Sequence, residues 1–398
     1  MFDRRRCAVV LAGYCAFLDL YVTQSLLPQL ANLFHASPAQ IGLTVTVATF
    51  AVALTAPFIG VLADRIGRRG LIIGAALGIA IPTALLSTVD NLPAMLVWRF
   101  VEGIFVPAIF SVTIAYIGDE WEGLEAAEVT GFYMAGTAAG GFSGRFVTAL
   151  VADWWGWRES FLVMAAFNVA IGLCIWKLMP PSRHFHRAQN LRASLTAMVH
   201  HFANPVLVAT FVAGFGVLFS LVATFTYVNF YLAAPPFLLG TAALGAIFSV
   251  YLVSSVGSPL TGTLIRHFGR RGTVAISVAV SSAGLLTTLV PSLPVVILGL
   301  AFGALGVFIC QGTATGFITV TATEGRSSAV GLYASFYYVG GSVGAVLPGL
   351  IWSWAGWPGC VAIVILDLLA IVAVTAIAWA PRTEKVTNKV LPRAVAAQ

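Results

Sequence analysis

Five ionisable side chains, Asp19, Arg99, Glu102, Arg145 and Asp367, stand inside long apolar runs of a 398-residue chain in which only 9% of residues are charged. On insertion scales a charge at the centre of a bilayer costs ~2.5–3.5 kcal/mol, so residues of this kind face a cavity or one another and serve a function. Arg99 and Glu102 are three positions apart and can share one helical face. Asp19 lies far enough into the first apolar run that a rise of ~1.5 Å per residue places it near mid-membrane, and Glu102 reaches a similar depth from the opposite side. Burial and a neighbouring guanidinium act in opposite directions on the proton affinity of a carboxylate, so a movement that changes their separation can load and release a proton. Proton exchange by Asp19 and Glu102 beside Arg99 is the chemistry these residue types and spacings offer. Asp367 stands apart, in the last apolar run.

The elements that hold these residues follow from composition. With 59% hydrophobic residues and a mean hydropathy of +0.94, the chain has no ordinary soluble surface. Twelve apolar stretches are each long enough to cross ~30 Å of hydrocarbon as a helix: 7–30, 39–63, 70–89, 93–117, 128–151, 159–179, 205–232, 237–262, 272–290, 294–320, 327–350 and 357–380. Arg99 and Arg145 lie within stretches and Arg158 lies between the fifth and sixth. The remaining Lys and Arg fall in the amino tail, in or beside the even-to-odd loops (Lys177 at the adjoining end of the sixth stretch) and in the carboxyl tail, which places both termini in the cytoplasm. The net charge of +6 is therefore a topology signal and gives no reason to expect a nucleic-acid partner. Five cysteines without metal-ligand spacing suggest neither a disulfide framework nor a zinc site. All six histidines lie in loops or tails, leaving no haem ligands between helices, and no Gly-x-x-x-x-Gly-Lys loop is present. No cofactor, metal or enzymatic activity is expected. The first stretch follows Arg4-Arg5-Arg6 as a signal peptide would, but it is long and lacks a small-x-small cleavage site, so it reads as a retained helix.

The chain also repeats itself. The segment from Gly60 to Arg69 returns from Gly262 to Arg271, Gly131, Tyr133, Gly140, Gly141 and Gly144 return as Gly331, Tyr333, Gly340, Gly341 and Gly344, and Gly156-Trp157 returns as Gly356-Trp357. Offsets of 200 to 202 point to a duplication: an amino-terminal six-helix bundle over 1–180, a basic cytoplasmic linker over 181–204, and a carboxyl-terminal six-helix bundle over 205–398 with a short tail. The fold class is an all-α membrane protein, twelve helices in two pseudo-symmetric bundles around a central cavity. Such an architecture is that of secondary transporters.

This arrangement resembles the major facilitator superfamily over the whole chain. Gly60, Asp64-Arg65, Gly67 and Arg68-Arg69 match the signature loop between helices 2 and 3, and the resemblance implies that Gly60, Asp64, Arg65, Gly67 and Arg68 form a cytoplasmic gate. The second copy places Arg266 where Asp64 sits, so only the first keeps an acidic acceptor. Arg99-Phe100-Val101-Glu102-Gly103 is similar to the Arg-x-x-Gln-Gly element of the proton-coupled drug antiporter branch, with Glu102 in place of Gln. Gly136, Gly140, Gly141, Gly144 and Arg145 resemble that branch's glycine-rich helix 5 motif, with Gly141 where proline is usual and Arg145 where a glycine is usual. Polar and aromatic residues that could line the cavity are Tyr21 and Gln24, then Thr224, Tyr227 and Asn229, then Gln311, Tyr333 and Tyr337. With no basic residue among those of the second half, a neutral or cationic amphipathic molecule fits better than a phosphate ester. The sequences around Tyr21 and Tyr227 look like those of the bacterial sugar- and drug-efflux permeases. The resemblance implies a monomeric, multi-pass inner-membrane transporter whose partners are protons, lipid and a small-molecule substrate, and which exports that substrate. The alternative is a proton-coupled importer of a sugar, organic acid or metallophore.

Overall fold

Three of the long helices begin at residues whose side chains cap them. The computed structural model describes residues 3–181, 198–255, 260–322 and 326–379. Most of the expected linker and the carboxyl-terminal tail therefore lie outside the described residues. Ser37 and Gln40 form a reciprocal capping box at the start of α3 (Pro38–Ile66), the Asn91 side chain accepts from the Ala94 amide at 2.9 Å to open α6 (Leu92–Glu120), and Asn204 accepts from Val206 at 3.0 Å to open α9 (Pro205–Ala233). In all three helices a proline occupies the first turn, where its missing N–H costs nothing.

The first apolar run is broken, with α1 (Arg4–Leu18) separated by turns and a 3₁₀ segment (Gln24–Leu26) from α2 (Leu27–Leu33). The first half continues through α4 (Arg68–Gly78), α5 (Ala80–Leu86), α7 (Gly123–Trp154) and α8 (Trp157–Leu178). The second half contains α10 (Thr241–Ile247), α11 (Val250–Ser255), α12 (Leu260–Thr287), α13 (Leu293–Thr321), α14 (Arg326–Gly344) and α15 (Leu347–Ala378). Among the described residues there are no strands, and seven helical runs are long and apolar enough to cross a membrane.

The repeats seen in sequence are repeats of backbone geometry. Gly67 (φ 92°) breaks the chain between α3 and α4, and Gly269 (φ 66°) kinks α12 at the equivalent place. Gly156 (φ 120°) precedes α8, and Gly356 (φ 52°) kinks α15. Only glycine enters this left-handed region without a steric penalty. The helix crossings repeat as well. A Cβ on Gly140 or Gly144 of α7 would strike the carbonyls of Tyr14 or Leu18 on α1, and one on Gly340 or Gly344 of α14 would strike those of Phe215 or Phe219 on α9.

Buried apolar side chains form two clusters, one drawn almost wholly from residues 8–179 and the other from 207–379. The clusters meet along α3 against α14 and α7 against α10. At the end of the bundle away from the termini the contact is close: Gly42 abuts Ala345, Gly349 abuts Ala39, and Gly245 abuts Ala149. Thr46 Oγ1 donates to the Ser342 carbonyl at 2.7 Å, and Ser335 Oγ to that of Ala53 at 3.1 Å. At the end that carries the termini, Gly60, Gly67, Gly131, Gly262, Gly269 and Gly316 all border open space. The halves are thus packed closely at the end away from the termini, and the glycines at the other end have no close neighbour.

Candidate functional site

The deepest polar cluster lies where α1 stops. Beyond Leu18 the chain tightens into i→i+3 turns, with the amides of Val22, Gln24 and Leu26 donating to the carbonyls of Asp19, Tyr21 and Thr23, each at 3.0 Å. β-Branched Val22 and Thr23 weaken a regular helix here, and Pro28 has no N–H to offer the Gln24 carbonyl. A helix that ends inside a membrane leaves carbonyls that need donors. Arg99 on α6 supplies them: Nη1 donates to the Asp19 carbonyl at 2.9 Å, Nη2 to that of Leu20 at 2.5 Å, and Nε to that of Thr44 on α3 at 3.1 Å. Its Nη1 also pairs with the Glu102 carboxylate, whose other oxygen accepts from Thr83 of α5 at 2.6 Å. A buried cation at a helix carboxyl terminus is electrostatically favourable, so Arg99 caps the break that its own partners define.

The Asp19 carboxylate points away from this fork. Oδ2 accepts from Asn168 Nδ2 of α8 at 2.6 Å, while Oδ1 has no hydrogen-bond partner among the described residues and the residue is 0% exposed. Two buried carboxylates thus stand near one guanidinium, which pairs with Glu102 alone. Fully ionised, the group carries one surplus negative charge, and a single proton cancels it.

Arg145 on α7 forms a second polar centre, 5% exposed, between the halves. Its Nε donates to Gln24 Oε1 at 2.8 Å and Nη1 to the Gly141 carbonyl at 2.5 Å. The guanidinium carbon lies 4.6 Å from the ring centre of Tyr21, 4.8 Å from that of Phe248 and 5.2 Å from that of Tyr251. Gln24 Nε2 continues the chain to Thr226 Oγ1 on α9 at 3.1 Å. Among the described residues no carboxylate lies within salt-bridge distance of Arg145.

Of the cavity residues expected from sequence, Tyr21 and Gln24 meet at Arg145. Tyr227 instead sits in the seal, donating to the Ala345 carbonyl at 2.7 Å. Asn229 donates to the carbonyl of Phe225 on its own helix at 2.6 Å. Thr224 is buried on α9, and Gln311 on α13 is half-buried. Tyr333 packs on Gly214 and stacks with Tyr337 at 6.0 Å between ring centres, and Tyr337 touches both apolar clusters. In α7, Gly136 packs on Val10 as Gly140 and Gly144 pack on α1, whereas Gly141 faces Arg145.

Around the signature loop, Arg68 pairs with Asp119 of α6 at 2.9 Å. Arg69 donates to the carbonyls of Met179 at 2.6 Å and Trp176 at 3.0 Å, at the end of α8. Arg65 is exposed, and the Asp64 side chain lies outside the described residues. These contacts tie the loop to its own half of the molecule.

The Major Facilitator Superfamily profile matches residues 9–249 and again 223–396. The chain belongs to this superfamily. It is 30% identical over 371 residues to YnfM of Escherichia coli (strain K12), an inner membrane transport protein, covering 92% of this chain and 88% of that one. It is 28% identical over 390 residues to the MFS-type transporter YybF of Bacillus subtilis (strain 168), covering 98% and 96%. In fold it matches a bacterial homologue of the human lysosomal transporter Spinster in an inward-facing, unoccupied conformation, with TM-score 0.73, 17% identity and 94% of each chain covered. The protein is a multi-pass membrane transporter of the superfamily, not an enzyme.

Within this superfamily fold, sequence reasoning missed Asn168, Thr83, Thr226, Phe248 and Tyr251. Asn168 had a signal, since it is the one amide in the sixth apolar run. Phe248 and Tyr251 had none, because ring-bearing residues are common in any apolar helix.

Proposed function

We propose that this superfamily member is a proton-coupled exporter of small amphipathic organic molecules in a bacterial inner membrane, with both termini in the cytoplasm. On this reading two six-helix halves, 1–180 and 205–398, joined by the linker 181–204, alternate access to a central cavity, and the closely packed end is the one away from the cytoplasm. The observation that carries proton coupling is the Oδ1 of Asp19, fully buried and unpartnered among the described residues, beside an ion pair that leaves one carboxylate uncompensated. A proton on that oxygen brings the buried group to neutrality. Asp19 belongs to the break after α1 and Arg99 to α6, so a shift of α1 changes their separation and with it the hold on the proton. Export is supported by the likeness of Arg99 to Gly103, and of the helix 5 glycines, to the antiporter elements. Gly60, Asp64, Arg65, Gly67 and Arg68 are assigned to the latch that closes the cytoplasmic end.

One observation favours a second reading, uptake of an organic acid together with protons. The charges of Asp19, Glu102, Arg99 and Arg145 sum to zero when all are ionised, so protonation leaves a positive charge that an anion can balance. Proteoliposomes with an imposed pH gradient separate the two by the direction of substrate-driven proton flux. Asp19→Asn should abolish that flux while leaving substrate exchange, and Glu102→Gln should weaken it less, because Gln restores the amide of the resembled motif. Wild-type coupling in the double variant would leave these carboxylates as structural ion pairs.

A further inference from the structure

We infer that Arg145 is the anchor for a carboxylate, so that the transported molecule is an organic monocarboxylate with an apolar or aromatic body. This rests on the transport reading above, though not on its direction or on proton coupling. A guanidinium this deeply buried is retained only with partners that offset its charge. The partners of Arg145 are all neutral: Gln24, the Gly141 carbonyl and the rings of Tyr21, Phe248 and Tyr251. Rings stabilise the cation without cancelling it. Hydrogen bonds use Nε and Nη1, and Nη2 makes none among the described residues. Carboxylates bind a guanidinium along its edge, in plane, through paired N–H donors.

Position supports the same conclusion. On one side of Arg145 the halves are sealed by Ala149 against Gly245, one turn along α7, and by Tyr227 against Ala345. Arg99 offers no such edge, because its three nitrogens are committed to the carbonyls of Asp19, Leu20 and Thr44 and to Glu102. A single guanidinium with no second cation in contact matches one negative charge, which selects a monocarboxylate over a phosphate dianion. The expectation of a neutral or cationic substrate came from the second half's lack of basic residues; the charge is supplied by the first half.

The test is isothermal titration of the purified, detergent-solubilised full chain with benzoate, phenylacetate and hexanoate, each against its neutral amide. Wild-type protein should bind at least one of the acids about 10- to 150-fold more tightly than the amide, the range expected for one charged hydrogen-bonded contact. Arg145→Gln should erase that preference, and Arg145→Lys should keep part of it. Asp19→Asn should still bind, so a failure of proton coupling is distinguishable from a failure of this site. Equal binding of acid and amide, binding of none of the acids by the wild type, or a wild-type preference in Arg145→Gln would overturn the proposal and leave Arg145 as a clamp between the halves. Should Arg145→Gln not fold, the acid–amide contrast in the wild type and in Arg145→Lys decides.

Discussion

The two halves share a scaffold but not a chemistry. Helix α6 spans 92–120 and α13 spans 293–321, so Leu300 and Gly303 occupy the register of Arg99 and Glu102. Where the first half holds an ion pair, the second closes α13 onto α12, with Ser281 Oγ donating to the Gly303 carbonyl at 2.8 Å. Ser220 stands 201 residues after Asp19, yet α9 runs through Ser220 as unbroken helix while α1 stops before Asp19. The contrast has a physical cause. A broken helix inside a membrane needs donors for its freed carbonyls, and only the first half has an arginine aimed at that point. The break and Arg99 are therefore one device, and the counterpart helix α9 in the other half stays whole.

The sharpest way to break this comparison is Arg99→Leu, which gives the first half the residue of the second. It strips donors from three carbonyls and leaves Glu102 buried and unpaired, so a loss of about 3–5 kcal/mol is expected in thermal unfolding of the purified protein. The double variant Arg99→Leu with Glu102→Gln removes both charges and should recover part of that loss. A double variant no more stable than the single would mean that the carbonyls, not the ion pair, dominate the site.

Where the halves are alike, variants should act alike. Gly140→Ala and Gly340→Ala each drive a methyl into a carbonyl across a helix crossing, at Tyr14 and at Phe215, and each should cost about 1–3 kcal/mol. Gly131→Ala and Gly331→Ala belong to the same sequence repeat but meet open space and a Met198 methyl at 3.8 Å. These two should be neutral or stabilising by up to about 1 kcal/mol, since alanine is the better helix former. Unequal costs for Gly140 and Gly340 in the same unfolding assay would show that the crossings are not equivalent.

How much of this was legible in sequence depends on contrast with the apolar background. Asp19, Arg99 and Glu102 stand out because charge is rare in such runs, and the structure gathers them at one point. Glycines at fixed offsets announced the crossings and the left-handed turns, since few other residues fit either. The break after α1 was not legible: its cause is Arg99, eighty residues away, and nothing local but Val22, Thr23 and Pro28 hints at it. Arg145 read as a departure from a glycine motif, because its meaning comes from Phe248 and Tyr251 of the other half. Tyr227 and Asn229 have the composition of a binding site, but a hydroxyl or amide can equally bond a nearby backbone carbonyl, and there no sequence pattern decides.

The smallest effect is expected at Asp367, where the halves come closest to repeating a polar contact. Ser220 Oγ donates to Asp367 Oδ2 at 2.7 Å, linking α9 to α15 as Asp19 and Asn168 link the chain after α1 to α8. The acid has changed sides, from the chain after α1 to α15, and there, among the described residues, it has no arginine and no second carboxylate in contact. An amide oxygen accepts from a serine hydroxyl as a carboxylate does, so Asp367→Asn keeps the bond. Its stability should change by no more than about 1 kcal/mol, and substrate-driven proton flux in proteoliposomes should stay at the wild-type ratio. Uncoupling by Asp367→Asn, at matched abundance in the vesicles, would move a proton carrier into the second half and end the division of labour between the two.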